Sequence, residues 1–204
     1  MPGCQVCPQM ERTFHELQQK GEISELKVID VHQYPELAEQ YHIRSVPFYR
    51  INGVAFSGLK SQSEILTLLQ SETEQKLRVW ISDQLGEGRL TDVETLIAAD
   101  AQGREAMMQL LEDMDTPLMV RVGLTAVVES LAERGFFSSL EARFLQLVDH
   151  PEERVAIDAI YYLHLLSTPA SLDKLAEIAQ AEESELQLQA QELLLETTAN
   201  AVKH

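Results

Sequence analysis

The chain's two cysteines stand three positions apart near its start, in Cys4-Gln5-Val6-Cys7-Pro8. Two thiols at this spacing close a small disulfide ring when the second one opens a helix. The first then lies at the helix N-terminus, where unpaired N–H groups and the macrodipole favour a thiolate. A thiolate attacks a substrate disulfide, and the second thiol resolves the mixed disulfide. The same spacing also serves as half of a zinc site. Tetrahedral zinc needs about four ligands, and there is no second C-x-x-C. His15, His32, His42, His150, His164 and His204 are scattered and read as surface or helix-face residues.

The residues that follow narrow the choice. Gln9 to Lys20 is an amphipathic helix candidate with Met10, Phe14 and Leu17 on one face, stopped by Gly21. Leu26–Val31 reads as a buried strand, and Pro35–Tyr41 as a short helix. Within Ile43–Gly58, Asn52-Gly53 separates two strands, because that pair favours the type I′ hairpin turn. Ser61–Leu69 then carries Ile65, Leu68 and Leu69 on one helical face.

From Cys4 to about Leu69 this order resembles thioredoxin. That family carries C-x-x-C, a strand ending in Asp followed by a short helix, an Ile or Val before a cis-proline, and a hairpin with a glycine near its end. The resemblance implies that Cys4 is the nucleophile and Cys7 the resolving thiol. It also implies that Val46-Pro47 faces the disulfide, where the N–H and C=O of Val46 pair with an extended substrate segment. Gly58 matches the family glycine near the site. An ordinary trans-proline at a strand start and an ordinary turn glycine are the alternatives. No bound cofactor is implied, because the disulfide itself carries two electrons. Gln5 and Val6 match neither the Gly-Pro pair of reducing thioredoxins nor the Pro-His pair of strongly oxidising relatives, and Gly3 stands where the family has Trp. Direction of electron flow therefore does not follow.

A thioredoxin-like domain needs a strand running directly into the C-x-x-C, and only Met1-Pro2-Gly3 precede Cys4. Without it, Leu26–Val31 and Phe48–Ile51 lack their shared partner. The expectation is that the native chain begins upstream, with the family's buried acidic residue and any signal peptide in that part. The alternative is a degenerate domain whose gap is filled by something else.

At 204 residues the chain can hold one large or two small domains. It shows no apolar run long enough for a bilayer and no secretory signal, so the default compartment is cytoplasmic. Charge is uneven: residues 1–70 hold six Lys/Arg against eight Asp/Glu, so of the total of −17, residues 71–204 carry −15. Such a surface repels nucleic acid and anionic membranes and suits a basic protein partner; plain solubility is the alternative meaning.

Thr73–Leu85 continues with a stripe of Leu77, Trp80, Ile81 and Leu85, and Gly86-Glu87-Gly88 punctuates the chain. From Arg89 no strand signal survives. Helical stripes cover Leu90–Ala99, Arg104–Glu112, Met119–Arg134, Leu140–Val148, Glu152–Leu166, Leu172–Ala181 and Leu186–Val202. Asp113 and Pro117 precede Val120-Arg121, and Asp149 and Pro151 precede Arg154-Val155; Arg121 to Arg154 and Ala126 to Ala159 are both offsets of 33, and Ala159 to Ala190 is 31. This resembles HEAT repeats, with a generic helical bundle as the alternative. Tyr161, Tyr162 and Phe136-Phe137 either line a binding surface or fill the repeat core, and Glu182-Glu183-Ser184-Glu185 reads as a helix start.

The predicted fold is thus an α/β thioredoxin-like domain over 1–72 lacking its first strand, a connecting helix and linker over 73–88, and an all-α HEAT-like domain over 89–204. The predicted function is thiol–disulfide exchange on a protein client selected by the helical part, with the reductant or oxidant unspecified. A non-catalytic adaptor and a redox sensor using the Cys4–Cys7 disulfide are the other readings.

Overall fold

The computed structural model describes residues 4–136, 140–181 and 184–201, with side chains up to 197. Met1-Pro2-Gly3, Phe137, Glu182-Glu183, Val202 and His204 lie outside the described residues. The chain divides into two compact units, Met1–Trp80 and Ile81–His204.

The first unit contains helices α1 (Cys7–Gln19) and α2 (Pro35–Gln40), strands β1 (Phe48–Ile51) and β2 (Val54–Ser57), helix α3 (Gln62–Gln70), and the start of α4 (Thr73–Gly86). In α1, Met10, Phe14 and Leu17 recur at helical spacing, and Met10 and Leu17 are buried. The helix stops where Gly21 takes φ +78°, with its N–H on Gln18 O and the Glu22 N–H on Leu17 O. These two bonds satisfy the last carbonyls of α1 as a Schellman motif.

The two strands form an antiparallel hairpin with Tyr49 opposite Phe56 and Ile51 opposite Val54. Asn52 and Gly53 both have positive φ, the requirement of a type I′ turn. Alternation puts Ile51 in the core and Arg50 outside, where its guanidinium donates to Gly53 O at 2.9 Å. Tyr49 stacks on Phe56 at 6.0 Å and meets Phe14 edge-on at 5.2 Å, so helix and hairpin share one core with Ile65 and Leu68 of α3. A capping box fixes the start of α3: Ser61 Oγ accepts from the Glu64 N–H, and the Glu64 carboxylate accepts from the Ser61 N–H at 2.7 Å. The Ser61 hydroxyl, donating to the same carboxylate at 2.6 Å, and then the Ser61 N–H hold the Glu64 carboxyl below its ordinary range.

The structure corrects one element. Leu26–Val31 is not a strand, and Val28 is 54 % exposed. Among the described residues the sheet holds β1 and β2 alone. An apolar β-forming run becomes a strand only when a neighbour takes its N–H and C=O groups, and no described segment offers that ladder. Asp30 instead turns the chain, its carbonyl accepting from the Gln33 and Tyr34 N–H groups.

The second unit is all helical: the end of α4, then α5 (Leu90–Ala99), α6 (Ala101–Glu112), α7 (Leu118–Glu133), α8 (Glu141–Leu147), α9 (Glu153–Leu166), α10 (Pro169–Ala179) and α11 (Glu185–Ala201). Breaks fall at caps: Asp100 accepts from the Gln102 N–H between α5 and α6, and Thr168 accepts from the Ser171 N–H ahead of Pro169. Helices α5, α7, α9 and α11 pack successively, each against the one before it in that series. Helix α8 packs on both α9 and α10, and Arg143 of α8 reaches back to Glu105 and Glu112 of α6 at 2.9 and 2.7 Å. The helices therefore stand in two rows.

Small residues let the rows close. A Cβ on Gly103 would sit 2.8 Å from Leu96 Cγ, and Ala156, Ala159 and Ala190 are fully buried. Tyr162 belongs to this core, packed 5.2 Å from the Phe144 ring. Arg121 and Arg154, placed alike by the sequence offset, differ in surroundings: Arg121 is buried and Arg154 exposed. The Arg121 guanidinium donates to Leu111 O at 3.1 Å, to Asp113 O at 3.4 Å, and to the Asp158 carboxylate. It closes the C-terminus of α6 and joins α7 to α9.

Two outcomes follow for this unit. Arg121→Ala should lower unfolding free energy by about 3 kcal/mol, the low end for a broken buried pair because Asp158 is partly solvated; urea unfolding checks this. The Tyr161 hydroxyl, held first by its bond to Glu129 and then by burial and the negative charges of Glu129 and Glu196, ionises only at about 12. Burial pushes Tyr162 up to about 12 as well. Both folded values exceed the ordinary 10.0, so their contribution to stability is complete below pH 10.0 and disappears as pH rises through about 12. Tyrosinate absorbance should show a late component that shrinks in Tyr161→Phe and again in Tyr162→Phe.

Candidate redox-active site

Cys7 is the first residue of α1, and Val6 before it has no side chain able to cap the helix. The first N–H groups of a helix have no carbonyl within it. Pro8, in the first turn, brings no N–H at all, and the Gln9 N–H turns back to Val6 O at 3.1 Å. The Cys7 N–H donates to Cys4 Sγ at 3.0 Å. No acidic residue lies in the first turn. The macrodipole adds partial positive charge at the same point.

The two cysteines form a disulfide, with their Cα atoms 5.5 Å apart. Both are half-buried, so exposure does not rank them. The difference between them is positional: Cys4 precedes the helix and receives the N–H, and Cys7 is part of the helix. Gln5 between them is exposed and Val6 half-buried.

Forty-two residues onward, the carbonyl oxygen of Val46 lies 3.7 Å from Cys4 Sγ. In the disulfide that sulfur has no proton to donate, so the approach is van der Waals contact. On reduction a Cys4 thiol has Val46 O within reach as an acceptor. The Val46–Pro47 peptide bond is cis, Pro47 is buried, and Pro47 O accepts from the Gly58 N–H at 2.9 Å. Thus Cys4, Cys7, Val46, Pro47 and Gly58 come together across the start of α1 and the ends of the hairpin. Gly58 has φ +81°, and a Cβ built there meets nothing within 4 Å. Its backbone conformation, rather than crowding, is what requires glycine.

Among the described residues no group of three or more His, Cys, Asp and Glu is placed to hold a metal ion. His15, His32 and His42 are exposed and His150 and His164 half-buried. Tyr161 and Tyr162 divide: Tyr162 is core, and Tyr161 is half-exposed with its hydroxyl on Glu129 at 2.5 Å. Phe136 lies beneath the Arg104 guanidinium at 6.0 Å.

Sequence reading placed unpaired N–H groups at the start of this helix, and the structure singles out the Cys7 N–H as the one that reaches Cys4 Sγ. No helix among the described residues is long and apolar enough to cross a membrane.

No curated protein and no solved structure matches the chain. Residues 1–70 match the family model described as a thioredoxin domain. This match and the Cys4–Cys7 disulfide at a helix start support a thiol–disulfide redox role, carried by a thioredoxin-like α/β segment that precedes an all-α region.

Proposed function

We propose that the protein exchanges dithiol for disulfide with a protein client, with Cys4 as nucleophile and Cys7 as resolving thiol. The observation that carries this reading is the Cys7 N–H aimed at Cys4 Sγ at 3.0 Å, at the positive end of α1. Hydrogen bonding to an anion favours the anion, so reduced Cys4 is the better thiolate. It attacks one sulfur of the client disulfide, forming the Cys4–client bond and expelling the other client sulfur as thiolate. Cys7 thiolate then attacks Cys4 Sγ, forming the Cys4–Cys7 bond and releasing the second client thiol. Two electrons pass to the client and the released thiolates take up two protons. The reverse sequence oxidises a client dithiol. The electrons reside in the cysteines, so no further cofactor enters either direction.

Val46 supplies the support for the client backbone. Its carbonyl already lies beside Cys4 Sγ, so an extended client segment pairing with the Val46 main chain brings its sulfur to Cys4. Gly58 bonds Pro47 from behind and leaves the space around its own Cα open. The two rows of helices over residues 89–204 are the part that selects the client. Their small buried alanines and successive packing favour the HEAT-like description.

Equilibration of the full chain against glutathione buffers tests the proposal. A reversible two-electron midpoint between about −120 and −270 mV is expected. Cys7→Ser should accumulate a mixed disulfide with a disulfide-bonded peptide, and Cys4→Ser should not. Absence of a reversible couple, or equal trapping by both variants, overturns it and leaves recognition by the helices as the remaining role.

A further inference from the structure

Helix α7 opens with three large apolar side chains in water: Leu118 is 67 % exposed, Met119 71 % and Val122 55 %. Met114, in the turn leading into the helix, is 41 % exposed. Positions 118 and 122 are four apart and 119 and 122 three apart, so they share one face. The same face continues at helical spacing through Ala126 to Glu129 and Glu133. It is thus apolar at the N-terminal end and acidic at the C-terminal end, where the macrodipole is also negative. From Val122 to Glu129 is about 10 Å along the axis, and to Glu133 about 16 Å.

The surrounding charge decides what fits. Residues 81–204 hold eight Lys/Arg against 23 Asp/Glu. Arg121 of this helix is buried in its pair with Asp158. Arg134, beside Glu133, lies about 100° round the helix. Toward α9 and α11 the neighbours are Asp158, Tyr161 bonded to Glu129, and Glu196 facing His164 at 3.9 Å. A second copy of the chain brings the same negative field and is repelled, and so is an anionic membrane. A basic protein segment is attracted. Two of the four exposed apolar side chains are methionines, whose flexible thioethers adapt to varied apolar anchors.

We propose that this face of α7 is a docking surface for a basic amphipathic protein segment. An apolar anchor of the partner seats on Met114, Leu118, Met119 and Val122, and its Lys or Arg residues one to two helical turns away meet Glu129 and Glu133. The proposal rests on the reading of the helical unit as the client-selecting part, and not on the thiol chemistry.

The test uses the full chain labelled with ¹³C-methyl methionine and two synthetic peptides of about four helical turns. The peptides share apolar positions; one carries Lys and Arg on its polar face, the other Glu. The basic peptide is expected to shift the Met114 and Met119 methyl signals and leave buried Met107 and Met108 in place, and the acidic peptide to shift none. Met119→Glu should weaken the basic peptide about tenfold. That substitution adds negative charge, so a purely electrostatic association would tighten instead. Glu129→Gln, which keeps an acceptor for Tyr161, should weaken it about threefold, and added salt should do the same. Unmoved Met114 and Met119 signals overturn the proposal, as does undiminished binding in Met119→Glu. Shifts that appear on concentrating the protein alone overturn it in favour of self-association. A Cys4→Ser, Cys7→Ser double variant should bind the peptide unchanged, so loss of exchange and loss of docking are separable results.

Discussion

Helix α1 begins with N–H groups that its own carbonyls cannot satisfy, and the sulfur of Cys4 takes one of them. The rest of the first unit holds that arrangement in place. Met10 and Leu17 anchor the opposite face of α1 in the core, Phe14 meets Tyr49 of the hairpin, and the hairpin's lead-in brings Val46 O beside the same sulfur. The core therefore fixes two polar groups, an N–H donor and a carbonyl acceptor, beside one reactive atom. Rotating α1 by a single residue would turn Met10 and Leu17 out of the core by about 100°. The apolar spacing within α1 and the geometry at Cys4 are one constraint.

Much of this was legible because local chemistry dictated it. Asn52-Gly53 demanded positive φ at two successive residues and gave the hairpin its register. Gly21 ended α1, and Ser61 with Glu64 began α3. The failure at Leu26–Val31 is equally instructive. Strand formation is a property of a pair, and apolar β-branched composition describes only one member of it. Exposed Val28 shows what happens to such a run without a ladder. At the site, the cysteine spacing and Pro8 were visible, but the 3.7 Å approach of Val46 joins residues 42 apart and depends on the tertiary packing.

The helical unit shows a similar division. Stripe spacing located each helix to within a few residues, since propensity and amphipathicity are local. The offset of 33 did not disclose that Arg121 and Arg154 have opposite fates. Arg121 is buried because α6 ends where its carbonyls need donors and Asp158 of α9 completes the pair. The exposed start of α7 was not distinguishable from core by sequence, because Leu118, Met119 and Val122 are as apolar as the buried stripe beside them.

The central claim is that the start of α1 stabilises negative charge on Cys4, and thiolate absorbance of the reduced protein as a function of pH measures this directly. The account predicts a Cys4 pKa clearly below the free-cysteine value of about 8.5, with the early-titrating signal lost in Cys4→Ser and kept in Cys7→Ser. A Cys4 that titrates at or above about 8.5 in the folded, reduced protein would contradict it.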